Sequence, residues 1–141
     1  MQEEIESIAL AVREHWELDL SPISNLQLTL EENGIVITGF DTVDRKIAAF
    51  SQRTLIDDGN VFFIAVAQGE KSTGRIFFDM AHELGHIFLH PWSESLDLIS
   101  KEEFKSRENQ ANRFASAFLL PKESFLQEIQ AYPTDLNYYL H

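Results

Sequence analysis

Apolar residues recur at helical spacing near the start of the chain. Over 3–18, Ile5, Ile8, Ala9, Val12 and Trp16 fall on one face. The run LSPIS breaks that pattern. Ser21 as a cap and Pro22 at the first helical position predict a second, short helix over 23–32, stopped by Gly34 after Asn33. Leu26, Leu28 and Leu30 also alternate as in a strand, and the two end signals decide for the helix. Three strand-like runs follow: IVITGF (35–40), KIAAFSQ (46–52) and NVFFIAVA (60–67), with DDGN (57–60) a turn between the last two. GEKSTG (69–74) is a polar loop in which Ser72 or Thr73 is placed to cap a helix. Helical periodicity then runs from Arg75 to His90, where Pro91 ends it. PWSESLDLIS connects to a long helix over 101–120. The pair LP breaks that helix and starts another over 121–131, and PTDLNYYLH suits one more turn. Strands first and helices afterwards indicate an α+β fold around a short three-stranded sheet.

Composition narrows the possibilities. The 141 residues suit one domain, 1–141. An apolar share of 44% with eleven phenylalanines is enough for one aromatic core. No window reaches the roughly 18 apolar residues of a membrane span. The acidic start MQEEIESIALAV does not read as a signal peptide. Without cysteine there is neither a disulfide framework nor thiolate chemistry, and a cytoplasmic location is the default expectation. The net charge of −12 argues against this chain itself gripping a phosphate backbone. It is compatible with a basic protein partner and equally with plain solubility.

The chemistry concentrates in FFDMAHELGHIFLH (77–90). At about 100° per residue, Arg75, Asp79, His82, Glu83, His86 and His90 share roughly a quarter to a third of the helix circumference. The rest of the surface is apolar: Ile76, Phe77, Met80, Ala81, Leu84, Ile87 and Phe88. A helix that is mostly buried and carries one polar seam must give those groups partners. HELGH matches H-E-x-x-H. Histidines one turn apart converge two imidazoles on one ion, and Zn²⁺ accepts them at about 2.0–2.1 Å. Glu83 sits beside the pair, offset round the helix, in the place of a general base. Gly85, without a side chain, lets another element pack close. Mn²⁺ or Fe²⁺ would accept similar ligands.

Two residues compete for the place of third ligand. His90 is one turn further on, but three histidines on successive turns span about 11–12 Å, a ladder that one ion does not easily meet at both ends, though the ligand-type rules allow either residue. His90 then caps the helix end as an imidazolium or packs behind the site. Glu108 falls within the apolar stripe Phe104, Ala111, Ala115 and Phe118 of the next helix, where a carboxylate needs a partner. A metal, or a salt bridge to Arg75 or Arg113, meets that need, unless Glu108 lies at an exposed edge of the stripe. Asp79, one turn before His82, either orients an imidazole from behind or is a first-turn acid facing the helix dipole.

RIFFDMAHELGHIFLH (75–90) followed by ENQANRFASAFLLPKESF (108–125) resembles the ImmA/IrrE family of zinc metallopeptidases. VREHWELDLSPISNLQLTLEENGIVI (12–37) is similar to the segment before the catalytic core in members fused to an Xre-type helix-turn-helix domain. The resemblance covers about 5–131 and implies a small zincin-like α+β fold. It also implies His82, His86 and Glu108 as metal ligands and Glu83 as the catalytic glutamate. Family members characteristically cut DNA-binding repressors or antitoxin-like regulators. Fused relatives are longer at both ends, so the chain is expected to be a short stand-alone member or an excised catalytic domain. No oxyanion helper stands out among Tyr132, Tyr138, Tyr139, His141 and Arg113.

The expected function is a zinc-dependent endopeptidase acting on a protein substrate, with a helix-turn-helix regulator the expected one, and with no nucleic acid or membrane bound by the chain itself. Asp79, His90 and Arg75 are candidates for an outer shell. Strand 60–67 is either a sheet edge open to an extended peptide or an interior strand. The rival reading is a non-proteolytic metal-binding sensor that controls a fused or partner regulator, marked by a fourth protein ligand such as His90 or Asp79. A metal-free interaction domain is a third reading, disfavoured by the intact His82, Glu83, His86 and Glu108.

Overall fold

A computed structural model describes residues 2–19, 21–41, 48–69, 71–90 and 99–120. They form α1 (Gln2–His15), α2 (Leu26–Glu32), β1 (Val36–Phe40), β2 (Ala49–Ile56), β3 (Gly59–Ala67), α3 (Thr73–Leu89) and α4 (Lys101–Leu119). The fold is α+β, with a three-stranded mixed sheet. The helix expected over 121–131 and the final turn lie outside the described residues, as do residues 91–98 of the connector.

The helix starts follow side-chain capping. Ser72 accepts from the Arg75 N–H at 3.2 Å, and Ser100 from the Glu103 N–H at 3.0 Å. α2 begins later than Ser21 and Pro22 suggested. Its cap is Asn25, whose side chain accepts from the Leu28 N–H, so the helix opens at Leu26. Asn25 meets the capping requirement as well as serine does, and Leu26 and Leu30, both fully buried, then face the core.

The strand order is β1-β3-β2, with β1 parallel and β2 antiparallel to β3. β3 is therefore the centre of the sheet, and its role as an edge open to a peptide is ruled out. Its continuous buried run from Ile64 to Ala67 is what a central strand requires. β2 and β1 are the edges. β2 also reaches past Gln52 to Ile56. Asp57 and Asp58 both have positive φ (48° and 65°), which makes a two-residue turn. That turn pairs Ile56 with Gly59 and carries the ladder along the whole strand. Arg53 is exposed there, so its charge does not interrupt the pairing.

α3 lies on β3 and β2, α4 packs on α3, and α1 packs on α4; α2 bridges α3 and β1. The core joins Ile5, Ala9 and Val12 of α1, Leu26 and Leu30 of α2, Ile64 and Val66 of β3, Met80 and Leu84 of α3, and Phe114, Ala115 and Phe118 of α4. Arg13 is buried among them. Its guanidinium donates to the backbone oxygens of Phe118, Asp19 and Ser21 and stands 5.9 Å from the Phe118 ring centre. It satisfies a carbonyl in the last turn of α4 that the helix leaves unpaired. Burial lowers its pKa, and the Asp19 charge opposes that. Arg13 thus ties α1, the following loop and the end of α4 together.

Candidate metal centre

α3 and α4 meet where their backbones come closest. A Cβ added at Gly85 would lie 3.1 Å from Phe114 Cβ and 3.2 Å from both Cα and O of Ala111. Any larger residue would push α4 away. This approach sets the carboxylate of Glu108, one turn before Ala111 and Asn112, against the α3 histidines.

His82 Nε2 is 2.8 Å and His86 Nε2 is 3.0 Å from the two oxygens of Glu108, and the two Nε2 atoms are 3.2 Å apart. Three donors on one cation, with bonds of 2.0–2.1 Å at tetrahedral angles, stand about 3.3 Å apart. The two nitrogens, 3.2 Å apart, are close to that spacing, and each stands somewhat inside it from one of the two carboxylate oxygens. Two imidazoles and one carboxylate also match the donor set of catalytic zinc. His82, His86 and Glu108 form the group of potential metal ligands among the described residues.

Electrostatics within the triad are one-sided. Hydrogen bonds from His82 and His86 hold the Glu108 carboxyl well below the usual carboxylate range, against the effect of burial. Burial pulls the His82 imidazole down. Its hydrogen bonds to Glu108 and Asn112, with the charges of Glu108 and Glu83, outweigh that and raise it. The cluster is built to hold positive charge next to a carboxylate.

Glu83 is buried on the same helix. Ser51 of β2 donates to its Oε1 at 2.9 Å. Burial raises its pKa, while His86, the Ser51 hydrogen bond and His82 oppose the rise. A carboxylate held by one oxygen, beside the donors and outside their group, is placed to take a proton.

The proposed outer-shell residues divide. His90 caps α3 through its N–H to His86 O, and its ring lies on the His86 ring with Nδ1 atoms 2.9 Å apart. Burial lowers its pKa, which works against the imidazolium expected at the helix end. Asp79 touches neither expected partner. It lies beyond the first turn and pairs with Lys71 at 3.0 Å and Arg75 at 3.3 Å. The two cations compete successfully with any imidazole for its oxygens. Arg75 is spent on that pair and on the Phe78 ring, and is not behind the site.

Two expectations about α4 change. Phe104 is 50% exposed and the Glu108 side chain 36%, because the buried part of the helix begins at Ala111. Glu108 meets the histidines from a half-exposed position, so burial is not what demands a partner for it. Arg113 lies about 140° round the helix from Glu108 and lines a cavity with Ile5, Glu102 and Gln110, away from the triad. Tyr132, Tyr138, Tyr139 and His141 lie outside the described residues. Ser51, Asn112 and Gln110 were not anticipated. Only Asn112 left a signal, one turn beyond Glu108 on the same face.

The model of the IrrE N-terminal-like domain, Peptidase_M78, matches residues 30–140. The chain belongs to this family. It is thereby a metallopeptidase-like domain, and the family matches the resemblance carried by HELGH and ENQAN. Among solved structures, the Peptidase_M78 chain is similar to a Mycobacterium tuberculosis transcriptional regulator. The TM-score is 0.66 at 20% identity, over 97% of this chain and 42% of the regulator. That likeness concerns the fold, and this chain spans less than half the regulator's length. No curated protein matches it significantly. No helix among the described residues is long and apolar enough to cross a membrane.

Proposed function

We propose that this Peptidase_M78 domain is a zinc-dependent endopeptidase in which His82, His86 and Glu108 hold the ion and Glu83 is the general base. The supporting observation is the convergence of three donors from two helices, with Glu83 beside them and outside their group. A bound divalent ion supplies Lewis acidity, polarising a scissile carbonyl and acidifying water. Glu83 takes the proton from the attacking water and delivers it to the leaving amine. Among the described residues its hydrogen bond is to Ser51 through Oε1, and Oε2 would serve that exchange. β2, which carries Ser51, is a sheet edge, so an extended peptide pairing with it would run alongside Glu83.

The substrate class we propose, supported by the family resemblance, is a DNA-binding repressor or antitoxin-like regulator, a protein partner whose basic surface would suit a net charge of −12. The sensor reading needs a fourth protein ligand. The two candidates for it are engaged elsewhere, Asp79 with Lys71 and Arg75, and His90 with His86 and Gln110. The test is incubation with the helix-turn-helix regulator encoded nearest to this chain. A discrete cut that needs zinc and is lost in Glu83→Gln supports the endopeptidase. A regulator left intact by the zinc-loaded protein, or cut equally by the variant, ends it.

A further inference from the structure

We propose that α4 fixes the ring orientation and tautomer of both α3 histidines through a hydrogen-bonded shell of Asn112, His90 and Gln110. This rests on the reading of His82 and His86 as ligands through Nε2. An imidazole that offers Nε2 to a cation carries its proton on Nδ1 and needs an acceptor there. His82 Nδ1 is 2.6 Å from Asn112 Oδ1, an amide oxygen that only accepts. His86 Nδ1 is 2.9 Å from His90 Nδ1, which accepts only when the proton of His90 is on Nε2. His90 Nε2 is 2.8 Å from Gln110 Oε1, again an amide oxygen. Gln110 Nε2 donates to Ser106 Oγ at 3.3 Å, which orients the amide.

The polarity of this chain runs one way. His86 Nδ1–H donates to His90 Nδ1, and His90 Nε2–H donates to Gln110. With the His90 proton on Nδ1, two N–H groups would meet head-on and Gln110 Oε1 would lose its donor. The five-residue run ENQAN therefore works as a unit. Glu108 lies between the Nε2 atoms, Gln110 and Asn112 terminate the bonds behind the rings, and Ala111 seats against Gly85. Asn112 and Gln110 are positioning residues. They act through the ligands and not on a substrate.

The test uses the full chain, with histidine ring ¹⁵N–¹H correlation spectra and zinc competition against a chromophoric chelator. In the zinc-loaded protein His82 and His86 are protonated on Nδ1 and His90 on Nε2. Asn112→Leu and His90→Leu weaken zinc binding about 10–100-fold, the usual cost of losing an outer-shell partner. Asn112→Asp and His90→Asn, which keep an oxygen where the acceptor stood, bind within a few-fold of the parent. Circular dichroism of the metal-free variants checks the fold, and Gln110→Leu, one bond further out, serves if His90→Leu does not fold. Leucine variants with parental affinity, or His90 protonated on Nδ1 in the parent, overturn the proposal while leaving the ligands in place. Failure of the ligand reading has a different signature: no zinc taken up by the parent, or full zinc retained in His82→Ala and His86→Ala, and both ideas then fall.

Discussion

Two acidic residues one turn apart on α3 are equally buried and differently surrounded. Asp79 is 5% exposed and faces two cations, Lys71 and Arg75. Glu83 is 8% exposed and is held by a single hydroxyl, with its pKa raised by burial. Both sit in the same polar seam of the same helix. A carboxylate between two cations has its charge matched by direct ion pairs. One tethered by a neutral donor is ionised at a cost and gains by accepting a proton. Asp79 is thus tied into the ion pairs of α3, and Glu83 is the carboxylate proposed as the base. What separates them is tertiary: the loop that carries Lys71 lies beside one, and the edge strand β2 beside the other.

That division can be broken by substitution. The largest effect is expected for Glu83→Gln, which keeps the shape and removes the base. The cleavage rate should fall by about 10²–10⁴-fold with zinc content unchanged. Asp79→Asn should do the reverse. The rate stays within a few-fold, and the urea midpoint reports a loss of about 1–3 kcal/mol. This is less than for a fully buried pair, because Arg75 and Lys71 reach solvent. If Asp79→Asn abolished cleavage in a stably folded protein, the division would be wrong.

The smallest effect is expected for Ser51→Ala. One hydrogen bond to the base is worth about 1–2 kcal/mol, so kcat should drop about 5–30-fold. The Ser51 hydrogen bond lowers the Glu83 pKa, so its loss raises that pKa further. The base works only when ionised, and the acid limb of the pH–rate profile then moves to higher pH. Ser51→Thr, which keeps a hydroxyl, should restore both. A limb that stays in place would mean that Ser51 does not act on Glu83.

The legible parts of this molecule are those with a local cause. The 3.6-residue period and the spacing of His82, Glu83 and His86 are written within one helix, as is the need for a small residue at Gly85. The juxtaposition of Glu108 was readable from its place in a stripe, though for the wrong reason. The stripe is exposed at Phe104, and it is the crossing at Ala111 that delivers the carboxylate. Sheet order has no clear local signature: strand 60–67 reads equally as an edge or as an interior strand, and only the pairing with both β1 and β2 makes it central. Arg13 follows Val12 on an amphipathic helix and looks like an ordinary surface residue. Its burial depends on the carbonyl it meets at the end of α4, 105 residues away. Asp79 reads from the sequence either as an imidazole acceptor or as a first-turn acid, because its cations come from outside the HELGH stretch, Arg75 a turn earlier and Lys71 from the loop before the helix.

The central claim is that two helices share one divalent ion through His82, His86 and Glu108, with Glu83 left out of the shell. Zinc stoichiometry, measured side by side on the parent, Glu83→Gln and Glu108→Ala by elemental analysis after exhaustive dialysis, tests it most directly. One zinc per chain is expected in the parent and in Glu83→Gln, and a large loss in Glu108→Ala. Stoichiometric zinc retained by Glu108→Ala, or zinc lost from Glu83→Gln, would contradict it.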